Sequence, residues 1–85
     1  MAKISGVFGA TGQSSVWASG SATIIMSFAG TASVSIEAYD PDNANWVAIA
    51  TKTASYAGTL DGFGDTQCRL NCTAHTNDVD YCVFT

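Results

Sequence analysis

The sequence predicts an all-β fold, a small β-sandwich or jelly-roll of about seven or eight short antiparallel strands forming one domain over residues 1–85. Three observations carry this expectation. Apolar and polar residues alternate with a period of two in several segments. Turn-forming residues recur roughly every eight to twelve positions. Nowhere does an i, i+3, i+4 apolar pattern persist over the roughly ten residues that a helix requires.

Residues 3–9 (KISGVFG) form a short strand, with Ile4 and Phe8 an even number of positions apart and so on one face. Gly9-Ala10-Thr11-Gly12 is a turn cluster. Residues 13–18 (QSSVWA) read as a second strand carrying Trp17, broken at Ser19-Gly20-Ser21. Residues 22–29 (ATIIMSFA) are the most apolar segment: Ile24, Met26 and Phe28 share a face and Ile25 takes the other. The β-branched Thr23, Ile24 and Ile25 between Gly20 and Gly30 favour a central strand over a buried helix.

The clearest pair of strands lies within residues 32–52. Val34, Ile36 and Ala38 alternate with Ser35, Glu37 and Tyr39, and Asp40-Pro41-Asp42-Asn43 supplies a turn. Pro41 presets φ, and the Asp40 carboxylate can accept backbone N–H groups ahead of it. Symmetrical closure places Trp46 opposite Ala38, Ala48 opposite Ile36 and Ala50 opposite Val34, which makes Trp46 a core anchor. Residues 53–60 hold a short edge strand around Tyr56, followed by the glycine-bearing loop Asp61-Gly62-Phe63-Gly64-Asp65. In residues 66–73, Cys68, Leu70 and Cys72 oppose Gln67, Arg69 and Asn71. A turn at His75-Thr76-Asn77-Asp78 then leads to a last strand, residues 79–84.

Composition excludes several function classes. Hydrophobic residues make up 47% and charged ones only 12%, about half the usual charged share, with a net charge of −4. With Lys3, Lys52 and Arg69 as its only basic residues, the chain lacks the basic stripe of a nucleic-acid binder. No apolar run approaches the roughly 18–20 residues of a membrane helix. The start, MAKISGVFG, lacks the apolar core of a secretory signal, so the chain is expected to stay where it is made, with its thiols reduced. A surface of Ser, Thr, Ala and Gly suits contact with neighbouring subunits. The sheet edges are guarded by few lysines, and the only proline sits in a turn; a closed homo-oligomer satisfies such edges.

Candidate chemistry is sparse. Cys68, Cys72, His75 and Cys82 contain the ligands of a Cys3His zinc site, but not at the spacing of one. On one strand, Cys68 and Cys72 lie about 13 Å apart, four steps of roughly 3.3 Å. Buried reduced thiols are the simpler reading, and a bridge between Cys72 and Cys82 remains open if the last two strands form a hairpin turning at Asn77. Asp40-x-Asp42 resembles half a calcium loop without the Glu that completes one, and turn chemistry accounts for both residues. His75, the sole histidine, has no evident partner to orient it as a base, and no nucleophile elbow, dinucleotide fingerprint or P-loop occurs. Neither catalytic residues nor a cofactor is expected. Trp17, Tyr39, Trp46, Tyr56, Phe63 and Tyr81 could form a sugar-stacking platform, though core packing is the plainer role for such residues.

The Gly30-Thr31 turn, the alternating Val34-x-Ile36-x-Ala38-Tyr39, the D-P-D-N turn and Asn45-Trp46-Val47-Ala48-Ile49-Ala50 together resemble small structural proteins encoded in tailed-bacteriophage genomes. Those proteins read as G-T-V-x-L-x-x-S-x-D-G-x-x-W-V-x-V, followed by a loop and an arginine-containing strand, a position matched here by Arg69. The lead-in strand Ser19-Gly20-Ser21-Ala22-Thr23-Ile24-Ile25-Met26-Ser27-Phe28 is similar too, so the resemblance spans roughly residues 20–72; the three cysteines and the extended tail depart from it. The resemblance implies a structural virion protein rather than an enzyme. Its most direct form is a capsid decoration (cement) protein, made in the host cytoplasm, trimeric and seated outside the shell on the major capsid protein. The rival expectation is a glycan-binding, adhesin-like module of a phage tail or cell surface.

Overall fold

A computed structural model describes residues 3–85. Its strands are β1 (Lys3–Phe8), β2 (Gly12–Gln13), β3 (Trp17–Ala18), β4 (Ser21–Phe28), β5 (Ala32–Asp40), β6 (Asn45–Lys52), β7 (Tyr56–Asp61), β8 (Gln67–His75) and β9 (Val79–Phe84). No helix forms among the described residues. One sheet has the order β1-β9-β4-β7; the other has β2-β8-β5-β6, with β3 also paired to β8. Every pairing is antiparallel.

Taking β2 and β3 as one interrupted strand leaves eight positions, and their pairing has a simple logic. The first position pairs with the last (β1 with β9), the second with the seventh (β2 and β3 with β8), the third with the sixth (β4 with β7), and the fourth with the fifth (β5 with β6). The chain is thus one long antiparallel ribbon, bent double at residues 41–44 and rolled up so that two layers face each other. This is the jelly-roll, one of the two architectures expected from the alternation. The β5–β6 hairpin is the tip of the ribbon, and the rest of the chain is wound behind it.

The rolling requires paired crossovers between the sheets, and these are stitched together. Near residues 29–31 and 76–78, Ala29 N–H donates to Asp78 O (3.0 Å), Asn77 N–H donates to Thr31 O (2.9 Å), and Thr31 N–H donates to Asn77 Oδ1 (2.9 Å). Gly30 permits this approach, because a Cβ there would run into the Asn77 side chain. At the opposite end Gly62 N–H donates to Gly20 O (3.1 Å).

The core lies between the layers. Ile24, Met26, Val79 and Val83 come from one sheet and Val34, Ile36, Cys68, Leu70 and Cys72 from the other, joined by Phe8 and Trp17. The inward positions match the alternation for β4, β5 and β8. The edge strand expected around Tyr56 is β7, and Gly62 and Gly64 in the loop after it take φ of 85° and 52°.

Three sequence expectations are corrected. Residues 13–18 do not form a continuous strand. Ser14 leaves the ladder and inserts its buried side chain instead, its Oγ accepting Leu70 N–H at 2.9 Å while its own N–H donates to Leu70 O at 2.9 Å.

The hairpin closes one residue out of the symmetrical register, with Asp40 opposite Asn45, Tyr39 opposite Trp46 and Ala38 opposite Val47. The loop runs over residues 41–44 and ends on Ala44 in the left-handed region (φ 53°), so it is longer than symmetrical closure allows. Because a one-residue slip moves a side chain to the other face, Trp46 sits outside the core. A bulge opposite the Ile36/Glu37 step then restores the phase, and Ala50 falls opposite Ile36 rather than Val34.

Finally, β8 and β9 are not a hairpin. The turn at residues 76–78 carries the chain from one sheet to the other, and β9 pairs with β1 and β4.

Candidate functional site

The outer face of the β2-β8-β5-β6 sheet carries an ordered set of polar and aromatic side chains. Ser35, Glu37 and Tyr39 on β5, Arg69 and Asn71 on β8 and Gln13 on β2 occupy outward positions in their strands, and register brings them together. Glu37 pairs with Arg69, Ser35 with Asn71, and Gln13 with Asn71. Gln13 Nε2 donates to Asn71 Oδ1 (3.1 Å), Asn71 Nδ2 donates to Glu37 Oε2 (3.2 Å), and Arg69 Nε donates to Glu37 Oε1 (2.7 Å). Ser35 and Thr51 share a hydroxyl–hydroxyl bond of 3.0 Å beside them.

Although Glu37 points away from the core, it is only 8% exposed, because its neighbours fold over it. Both carboxylate oxygens are engaged, as burial of a charge demands. Arg69 then lies over Trp46, its Cζ 4.2 Å from the ring centroid, and Trp46 packs against Tyr39 with centroids 5.1 Å apart and planes tilted by 54°. Fixing Glu37 fixes the guanidinium, which in turn fixes the two rings.

Tyr39 also forms one wall of an open cleft of about 500 Å³, lined by Tyr39, Pro41, Asp65, Thr66 and Gln67. The turn residues are held from both sides. Asp40 Oδ1 accepts Asp42 N–H (3.1 Å) and its Oδ2 accepts Asn43 Nδ2 (2.8 Å), while Thr66 N–H donates to Phe63 O (2.8 Å). The Asn43 side chain, followed by the backbone N–H groups of Asp42 and Asn43, holds the Asp40 carboxyl below its ordinary value. The Asp40 carboxylate is thus occupied with turn chemistry.

No family model, curated protein or solved structure matches this chain. What the molecule does is therefore read from its own surface.

The aromatic residues considered together in the sequence divide sharply. Trp17 is 5% exposed and belongs to the core, with Tyr56, Phe63 and Tyr81 packed against it. Only Tyr39 and Trp46 present rings to the outside as a pair. Trp17 Nε1 is buried without a hydrogen-bond partner.

The residues of the hypothetical zinc set are dispersed. Cys68 and Cys72 face the core from β8, His75 ends that strand with Nε2 3.1 Å from Asp78 Oδ1, and Cys82 occupies an outward position in the other sheet. The bridge between Cys72 and Cys82 is excluded on the same ground, since the two side chains lie on different sheets and all three thiols are free. Burial pushes the Cys68 and Cys72 thiols above their ordinary value of 9.0, an effect that backbone hydrogen bonding with Ala74 partly offsets at Cys72.

Sequence reasoning overlooked Glu37 and the cleft residues Asp65, Thr66 and Gln67. A signal for Glu37 was present: an acid at an outward strand position, with one arginine at an outward position in another strand.

The outer face of the other sheet is built differently. Register sets Ser5, Cys82, Ile25 and Ala57 in one row, Lys3, Phe84, Thr23 and Thr59 in the next, and Val7, Asp80 and Ser27 in a third. Ile25, at its centre, is 40% exposed and Val7 59%. Among the described residues, no side-chain hydrogen bond joins the members of these rows.

Proposed function

We propose that this protein is a structural, non-enzymatic component of a tailed-bacteriophage particle, a capsid decoration (cement) protein that acts as a homotrimer on the major capsid protein. The observation that carries the reading is the outer face of the β1-β9-β4-β7 sheet. A free-standing surface is normally dense in charge, yet here Val7, Ile25, Ala57, Cys82 and Phe84 share a face with only Lys3, Asp61 and Asp80 as charged neighbours. Such a face is suited to seating on a larger protein surface. The resemblance of residues 20–72 to phage structural proteins supplies the biological setting; the jelly-roll alone does not, since one fold hosts many functions.

The trimer rests on the edges and on the resemblance. Along β6, Val47 and Ile49 are 52% and 37% exposed, and Lys52 at the strand's end is its one charge. A ring of subunits satisfies such edges without open-ended fibres.

Quantitative mass spectrometry of purified phage particles tests the class. A shell protein is expected in many copies per particle, and its absence from the particle rejects the reading. Light scattering tests the assembly state: a stable, well-folded monomer at micromolar concentration rejects the trimer.

A further inference from the structure

We propose that the cleft beside Tyr39 is a binding site for a neutral saccharide of one or two rings, with the Tyr39 ring as its stacking surface and Asp65, Thr66 and Gln67 as its hydroxyl-reading groups. The cleft, about 500 Å³ in volume, lies within the range of small-ligand sites. It combines an aromatic wall and the Pro41 ring with a carboxylate, a hydroxyl and a side-chain amide. A sugar presents that chemistry in reverse, with an apolar C–H face on each ring and a rim of paired hydroxyls that both donate and accept.

Three observations narrow the ligand class. First, no cation lines the cleft, Asp65 is one of its walls, and the protein carries a net charge of −4, so an anionic ligand meets only repulsion there. Second, the flanking strands β5 and β8 are hydrogen-bonded to each other over Ala32–Ala38. The ladder ends at the Ala38–Cys68 pair, and the one or two residues past it on each strand are too short a stretch to take up an added strand, so recognition falls to side chains. Third, the side chains of Asp65, Thr66 and Gln67 make no hydrogen bond to the protein among the described residues, so their capacity is free for a ligand.

The site is also held in place before a ligand arrives. Tyr39 packs on Trp46, Trp46 lies under Arg69, and Arg69 is fixed by Glu37, while the turn closed by Thr66 and Phe63 positions the opposite wall. A ring held in this way loses little rotamer freedom on binding, which is what preorganisation contributes to affinity. The cleft opens on the face opposite the one proposed to meet the shell. It nevertheless stands on its own geometry, whether or not the protein belongs to a particle.

The test is a two-dimensional NMR titration of the isolated full-length protein with cellobiose, lactose and N,N′-diacetylchitobiose, and with glucuronate as the anionic comparison. At least one neutral disaccharide is expected to give saturable shifts, in the millimolar range, confined to Tyr39, Trp46 and residues 65–67. Tyr39→Ala is expected to weaken binding about tenfold or more, while Tyr39→Phe, which keeps the ring, retains it. Gln67→Ala, on an exposed side chain that folding does not need, is expected to weaken binding as well. Ile25→Ser, on the opposite face, is expected to leave it unchanged. Absence of saturable shifts with all three neutral sugars up to tens of millimolar overturns the proposal. So does binding of glucuronate alone, or binding that Tyr39→Ala and Gln67→Ala both leave intact. Loss of sugar binding in a protein that is abundant in particles rejects the cleft and spares the structural role; sugar binding by a protein absent from particles does the reverse.

Discussion

On the outer face of the β2-β8-β5-β6 sheet, Gln13, Asn71, Glu37 and Arg69 are linked by side-chain hydrogen bonds and end on the Trp46 and Tyr39 rings. On the outer face of the β1-β9-β4-β7 sheet, Ile25, Cys82, Ala57 and Val7 stand beside serines and threonines with no such links among the described residues. Both faces come from the same period-two alternation, and both cover the same core. The network on the first is satisfied within the molecule; the second leaves apolar surface exposed, the feature on which the proposed seating rests. An outward position in a strand therefore does not define a solvent-facing role. What matters is whether the neighbours supplied by register complete its chemistry.

This contrast can be sharpened or broken by substitution. The largest effect is expected on the shared core: Leu70→Ala, on β8 between Arg69 and Asn71 but facing inward, should lower unfolding stability by about 3 kcal/mol in urea titration. Next comes the linked face. Glu37→Ala leaves Arg69, which is 21% exposed at its side chain, without its carboxylate and Asn71 without an acceptor; a loss of about 2 kcal/mol is expected. A loss equal to that of an ordinary exposed acid would mean that the network contributes no rigidity. Arg69→Lys keeps the charge and gives up the planar stack on Trp46, so a smaller loss of about 1 kcal/mol is expected, together with altered Trp fluorescence. On the unlinked face, Ile25→Ser should change stability by no more than about 0.5 kcal/mol while abolishing the proposed attachment to a shell, read by co-sedimentation with particles.

Alkaline pH bears on the two core thiols. Cys68 and Cys72 have raised folded-state values, so the folded protein keeps protons that the unfolded chain has lost. Stability should be fully present below the ordinary thiol value of 9.0 and decline as pH rises beyond it, and Cys72→Ala should flatten that decline in denaturant titrations at several pH values.

Much of the fold was legible one strand at a time. Which side Ile24 or Leu70 would take follows from the residues beside it, because a strand alternates whatever its partners are. Register is a different matter. Whether Trp46 would face the core depended on a single residue in the loop, Ala44 in a left-handed conformation that its side chain does not advertise. The partner of β9 was equally hidden: the turn at residues 76–78 is compatible with a hairpin, and only the pairing of the whole ribbon sends β9 to the other sheet. The cleft was illegible for the same reason. Tyr39 and Gln67 are far apart in the chain, and no local signal says that β5 and β8 are neighbours.

The contrast between the two faces is tested most directly by a thiol that the molecule already carries. Cys82 lies beside Ile25 on the unlinked face, whereas Cys68 and Cys72 are buried in the core. Alkylation with iodoacetamide, read by mass spectrometry on the isolated protein and on intact particles, reports what covers that face. The expected result is that Cys82 is modified in the free protein and protected in the particle, with Cys68 and Cys72 unmodified in both. Equal modification of Cys82 in the two states would contradict the assignment of this face to the shell.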